Sequence, residues 1–167
     1  MWTSARAMLN RQDAKECPKT MHSRLGSLRL GVFAVSLVPM TENEISKVIV
    51  DAAFTVHKAL GPGLLEKVYE HCLAAELRFA GLNVSQQLAL PVHYRDQQLD
   101  LGYRIDLMVE GKVLIEVKAS EGLNDVHMAQ VLTYLKLSGT HLGLLINFNE
   151  ALLKRGIRRI VDQLEER

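Results

Sequence analysis

YRIDLMVEGKVLIEVK, residues 103–118, places one acid, Asp106, in an apolar run. Past a glycine, it places an acid and a base two residues apart, Glu116 and Lys118. Side chains alternate faces along a strand, so Val113, Ile115 and Val117 share an apolar face while Leu114, Glu116 and Lys118 share the other. In the preceding segment Tyr103, Ile105, Leu107 and Val109 fall on one face and Arg104, Asp106 and Met108 on the other. The loop decides whether the two acids meet. A two-residue turn of Glu110 and Gly111 sets Asp106 against Ile115, on the opposite face from Glu116. A three-residue loop, or a bulge with Gly111 at positive φ, brings the even-numbered residues of both strands to one face. The apolar pattern favours the second register, which keeps Asp106 off the core face.

The chain around this hairpin has 167 residues, enough for one domain with a real core. Its charge is unevenly divided: residues 1–39 carry six Lys/Arg against two Asp/Glu, and residues 40–167 carry fourteen against seventeen. A slightly acidic folded part argues against nucleic-acid binding driven by bulk charge, though not against a local basic patch. Cys17 and Cys72 match no metal-site spacing and form no disulfide framework, which points to a reducing, cytoplasmic setting.

Residues 1–39 show no sustained periodicity, and are expected to be a disordered extension or translated upstream sequence with the natural start at Met40. Their apolar run, 30–38, is about half the roughly 20 residues a membrane helix needs, so no membrane association is expected. Residues 40–167 are expected to form the folded domain. Thr41-Glu42-Asn43-Glu44 is a capping box, followed at helical spacing by Ile45, Val48, Ile49, Ala52, Ala53 and Val56. That helix ends near Leu60, before Gly61-Pro62-Gly63. A second helix runs over about 64–80 with an apolar stripe of Leu65, Val68, Tyr69, Cys72, Leu73 and Leu77. Glu66 borders the stripe and points either into a cleft or to water.

Residues 84–94 read as extended with a bend or edge at Pro91, and 95–98 as a polar turn. After the central hairpin, Asn124 or Asp125 caps a helix over 126–137 closed by Ser138-Gly139. His127, Gln130 and Tyr134 fall on one face of it. HLGLLINF, 141–148, is a strand buried on both faces. A connection over 149–156 and a short last strand or helix over 156–161 complete the pattern, with a basic cluster of Lys154, Arg155, Arg158 and Arg159.

Two carboxylates on adjacent strands are hard oxygen ligands suited to Mg²⁺ or Mn²⁺, ions that keep water and leave room for a substrate phosphate. A lysine beside them orients the attacking water or stabilises charge developing on phosphorus. The reaction class is metal-assisted phosphodiester hydrolysis. The alternative is an ordinary solvated strand.

Asp106, Glu116 and Lys118 resemble the core of the PD-(D/E)XK nuclease superfamily. Gly63-x-x-Glu66-x-x-Tyr69 resembles the signature of its GxxExxY family, and Gln130-x-x-x-Tyr134 resembles an element of the RecB-like branch. The resemblance spans about 41–161. It implies an α/β, restriction-endonuclease-like core with a mixed central β-sheet flanked by α-helices. It further implies metal held by Asp106, Glu116 and the Val117 backbone carbonyl, with Glu66 assisting and Lys118 catalytic. Gln130 and Tyr134 would line the site or contact the phosphate backbone, with His127 and Tyr69 as further substrate contacts. Ile105 stands where the superfamily name puts proline. The resemblance leaves the choice of substrate open; the expected substrate is nucleic acid, with a Mg²⁺-dependent DNA nuclease as the first hypothesis. The alternative is a non-catalytic nucleic-acid-binding or protein-interaction module that retains the fold; a third reading, a small protein whose apolar stripes pack against a second copy as a homodimer, is compatible with either.

Overall fold

A computed structural model of the chain describes residues 39–99 and 102–163. The expected extension, apart from Pro39, lies outside the described residues. The elements are α1 (Glu42–Leu60), α2 (Glu66–Phe79), β1 (Val84–Ala89), β2 (Val92–Tyr94), β3 (Gln97–Leu99), β4 (Arg104–Val109), β5 (Val113–Lys118), α3 (Asp125–Ser138), β6 (Leu142–Asn147), α4 (Leu153–Gly156) and β7 (Ile157–Val161). Five strands form a mixed sheet in the order β1-β4-β5-β6-β7, and β2 and β3 pair separately. Only β5 and β6 are parallel; the other neighbouring pairs are antiparallel. A parallel pair needs a crossover connection, and α3 supplies it. No helix among the described residues is long and apolar enough to cross a membrane.

The start of α1 obeys its sequence closely. The Thr41 hydroxyl accepts the Glu44 N–H at 3.3 Å, and the Glu44 carboxylate accepts the Thr41 N–H at 2.8 Å. Ile45, Ile49, Ala52, Ala53 and Val56 are buried, and the helix stops at Gly61 with φ 67°. On α2 the buried face is Tyr69, Glu70, Leu73, Ala74 and Leu77. Leu65 and Val68, expected in the stripe, are 76 % and 39 % exposed. Leu65 lies outside the helix as its N-cap, while Tyr69, Leu73 and Leu77 of the expected stripe are buried and Glu70 shares their inward face.

The sheet separates two apolar layers. Leu107, Val109, Val113, Ile115, Val117, Leu142, Leu144 and Ile146 pack with α1 and α2. Met108, Leu114 and Leu145 pack with Val131, Tyr134 and Leu135 of α3. Ile105, expected on the face of Leu107, instead joins Met108 and Leu114. Strict alternation fails there because β4 leaves its ladder with β5 beyond Leu107. The polar stretch expected as a turn over 95–98 is tighter, with Arg95 at φ 53° and Gln97 already in β3. All six residues of β6 are buried, as their apolar run implied.

Side-chain and backbone bonds tie the far end of β5 to the C-terminal end of β6. The Asn147 side chain accepts the Ser120 N–H at 3.1 Å and donates to the Ser120 carbonyl at 2.9 Å. The Phe148 N–H donates to the Lys118 carbonyl at 2.8 Å. Gly156 is packed against the same corner: a Cβ there would overlap the Asn147 carbonyl oxygen and lie 3.0 Å from Glu150 Cγ. Backbone cannot yield as a flexible side chain can. Gly156→Ala is therefore expected to destabilise the chain by about 1–3 kcal/mol, the usual cost of overpacking, and urea unfolding measures it.

Candidate active site

β4 and β5 pair with Leu107 opposite Ile115, Met108 opposite Leu114 and Val109 opposite Val113. The loop therefore spans three residues, 110–112, and even-numbered residues of both strands share a face. Gly111 has φ 64°, and Glu110 also lies in the left-handed region at 53°. A non-glycine residue is strained there, and Asn83 holds it: its N–H donates to the Glu110 carboxylate at 2.6 Å, and its carbonyl accepts the Glu110 N–H at 2.9 Å.

Continued one step, this register sets Asp106 opposite Glu116. The backbones part at that level, and a side chain bridges the opening. Asp106 Oδ2 accepts the Val117 N–H at 2.9 Å, and Oδ1 accepts Gln87 Nε2 at 3.0 Å. Within a strand, a residue's N–H and C=O point to the same side. The Val117 carbonyl is thus turned toward the margin where Asp106 sits.

Glu116 is only 3 % exposed. Lys118 Nζ donates to its Oε1 at 2.7 Å, while Oε2 is buried without a hydrogen-bond partner. Burial, then the Asp106 charge, pushes its pKa up to about 7 despite Lys118. Burial also raises the Asp106 pKa, with the Val117 N–H opposing it and the Glu70 charge adding to it. Burial disfavours the charged form of Lys118, but its hydrogen bond and charge pairing with Glu116 outweigh this, and Glu66 and Asp106 add to them; its pKa ends above the ordinary lysine value. The lysine therefore stays protonated.

Glu66 is the first residue of α2, and its carboxylate accepts the Ala119 N–H at 3.1 Å, one residue beyond Lys118. The side chain is exposed, with this bond directing its carboxylate to the end of β5. The preceding loop sets its position. Gly63 has φ 100°, which favours glycine. The Tyr69 hydroxyl donates to the Gly61 carbonyl at 2.6 Å and accepts the Leu64 N–H at 3.1 Å. The Tyr69 ring stacks on Phe148 with centroids 4.6 Å apart. Tyr69, expected as a substrate contact, is fully buried, and its hydroxyl clamps this loop.

Tyr134 is a buried residue of α3 whose hydroxyl accepts Gln130 Nε2 at 2.9 Å. Burial raises its pKa; the Gln130 hydrogen bond opposes this, and the charges of Glu116, Lys118 and Asp106 are also felt there. His127 stands apart in a structural task, its ring nitrogen accepting the Asn124 N–H at 3.4 Å in the cap of α3. Two neighbours of Asp106, Gln87 and Glu70, are not singled out by the sequence. Glu70, four residues after Glu66 and hence on the same side of α2, accepts from Gln87 Nε2 at 3.0 Å. That spacing is visible in the chain, but nothing local distinguishes it from a solvated pair.

Among the described residues no three His, Cys, Asp or Glu side chains form a ready metal cage. Asp106 and Glu116 nonetheless fit a hard divalent cation. Both offer carboxylate oxygens, and Glu116 Oε2 is a buried acceptor with no donor in reach. A cation would offset the burial, and after it the charge repulsion, that raise these pKa values. A family model described as the PD-(D/E)XK nuclease superfamily matches residues 43–160. No curated protein and no solved structure matches the chain.

Proposed function

The chain belongs to the PD-(D/E)XK nuclease superfamily, and on that premise we propose that its folded part hydrolyses DNA phosphodiester bonds with Mg²⁺ or Mn²⁺. The observation that carries the proposal is the meeting of Asp106, Glu116 and Lys118 where β4 parts from β5, with one Glu116 oxygen buried and unpartnered. Asp106, Glu116 and the Val117 carbonyl would hold the cation, and Glu66 would support it directly or through water. When bound, the metal supplies Lewis-acid activation of the phosphate and of the attacking water.

The chain's own groups do the rest. Lys118 donates from a protonated ammonium to the water or to a non-bridging phosphate oxygen, offsetting charge as the P–O ester bond breaks. Tyr134 and Gln130 contact the phosphate backbone beside the acids. The Gly63, Glu66 and Tyr69 spacing supports placement in the GxxExxY family, since the clamped loop is what presents Glu66 to the end of β5.

The test is incubation of the full chain with duplex DNA, single-stranded DNA and RNA, each with Mg²⁺ and with chelator. Cleavage of DNA that stops in chelator is expected. Cleavage of RNA alone would replace the substrate. Metal uptake without cleavage of any of the three would favour a binding module that keeps the fold.

A further inference from the structure

Gln87 has an anomalous backbone for its setting. It lies inside β1 at φ 52°, in the left-handed region that side-chain-bearing residues rarely adopt within a strand. The ladder with β4 skips it: Gln86 pairs with Leu107 and Leu88 with Ile105, leaving Gln87 unpaired at the level of Asp106. Strain of this kind persists only where the surroundings hold it in place, and it concentrates at functional sites.

The turn in the backbone accompanies an unusual use of the side chain. Gln87 Nε2 donates to Asp106 Oδ1 at 3.0 Å and to Glu70 Oε2 at 3.0 Å. An amide nitrogen carries two hydrogens, and here each serves a different carboxylate. Glu70 is 3 % exposed, takes a further hydrogen bond from Gln86 at 3.4 Å, and pairs with Lys67 at 2.7 Å. The Val117 N–H holds the other oxygen of Asp106. The Asp106 carboxylate is thereby fixed at both ends.

We infer that Gln87 is a positioning residue, whose one amide group orients Asp106 for a divalent cation and keeps the buried Glu70 carboxylate bonded away from it. The inference rests on Asp106 holding that cation. Groups that orient a metal's ligands commonly contribute tenfold or more to metal affinity. Without the amide, Asp106 is free to rotate about its remaining bond to Val117, and Glu70 loses a donor.

Two variants of the full chain separate this role from a structural one. Gln87→Gly removes the amide but relieves the backbone, so it should fold with a metal-free unfolding midpoint near that of the wild type. Its Mn²⁺ affinity, measured by titration calorimetry without nucleic acid, should fall about tenfold. The Mn²⁺ concentration for half-maximal cleavage should rise in step, with a smaller change in rate at saturating metal. Glu70→Gln still offers an oxygen to Gln87, and its Mn²⁺ affinity should stay within about threefold of wild type. Wild-type Mn²⁺ uptake with an unchanged Gln87→Gly affinity overturns the inference alone. A Glu70→Gln loss as large as that of Asp106→Asn also overturns it, by making Glu70 a ligand. A wild-type chain that takes up no Mn²⁺ overturns the metal reading first and this inference with it.

Discussion

Lys118→Met and Asp106→Asn are each expected to lower metal-dependent DNA cleavage by about 10²–10³-fold or more, the scale set by losing one preorganised charge at a reacting phosphate. Both replacements are chosen to spare the fold. Methionine keeps the aliphatic length of Lys118, and asparagine keeps an oxygen that can accept the Val117 N–H now bonded to Asp106 at 2.9 Å. The two should fail differently. Asp106→Asn should weaken Mg²⁺ binding, seen as a higher metal requirement, whereas Lys118→Met should lower the rate at saturating Mg²⁺. Rates within threefold of wild type for both, in proteins with native circular dichroism, would remove the site from the mechanism.

The metal-free protein should lose stability as pH rises from about 4.5 to above 7, and the cause should be Glu116. Its pKa is raised from an ordinary value of 4.5 to about 7 in the folded chain, by burial first and by Asp106 second. Below pH 4.5 the group is neutral folded or unfolded, and its contribution to stability is fully present. Between the two values the unfolded chain ionises first, so stability falls, and the loss is complete once the folded group ionises. The total is about 3 kcal/mol. Glu116→Gln cannot ionise and should flatten that part of the profile. Urea unfolding at pH 4.5 and pH 8 in chelator should show the variant similar to wild type at the first and more stable at the second. Mg²⁺ should restore wild type at pH 8 and leave Glu116→Gln unmoved, because binding to the folded state stabilises it. A wild-type chain more stable than the variant at pH 8 without metal would contradict the assignment.

Much of the fold is legible locally. The α1 cap, the Gly139 stop of α3, the buried run of β6 and the three-residue loop each depend on neighbouring residues alone. Parity predicts the hairpin register because Asp106 on a core face would cost far more than a loop of one residue more. It errs at Ile105, which still pairs with Leu88 of β1 but, past the end of the β4–β5 ladder, packs with Met108 and Leu114. Tyr69 shows the same limit from another side. Its motif spacing is visible, but only the fold reveals that the hydroxyl is spent on Gly61 and Leu64.

Local sequence suffices for most of the elements, though not for the separate β2–β3 pair, and for the hairpin register and the joining of Asp106, Glu116 and Lys118 on one face, because each depends on periods of two or of three to four residues. Tertiary packing had to settle that α2 turns Glu70 inward, that Glu66 reaches Ala119, and that Gln87 breaks the ladder to bond Asp106 and Glu70 together. Those outcomes depend on how α2 sits against β1 and the end of β5. A helix rotated by one residue presents a different side chain, and the packing that sets the rotation is contributed by residues distant in the chain.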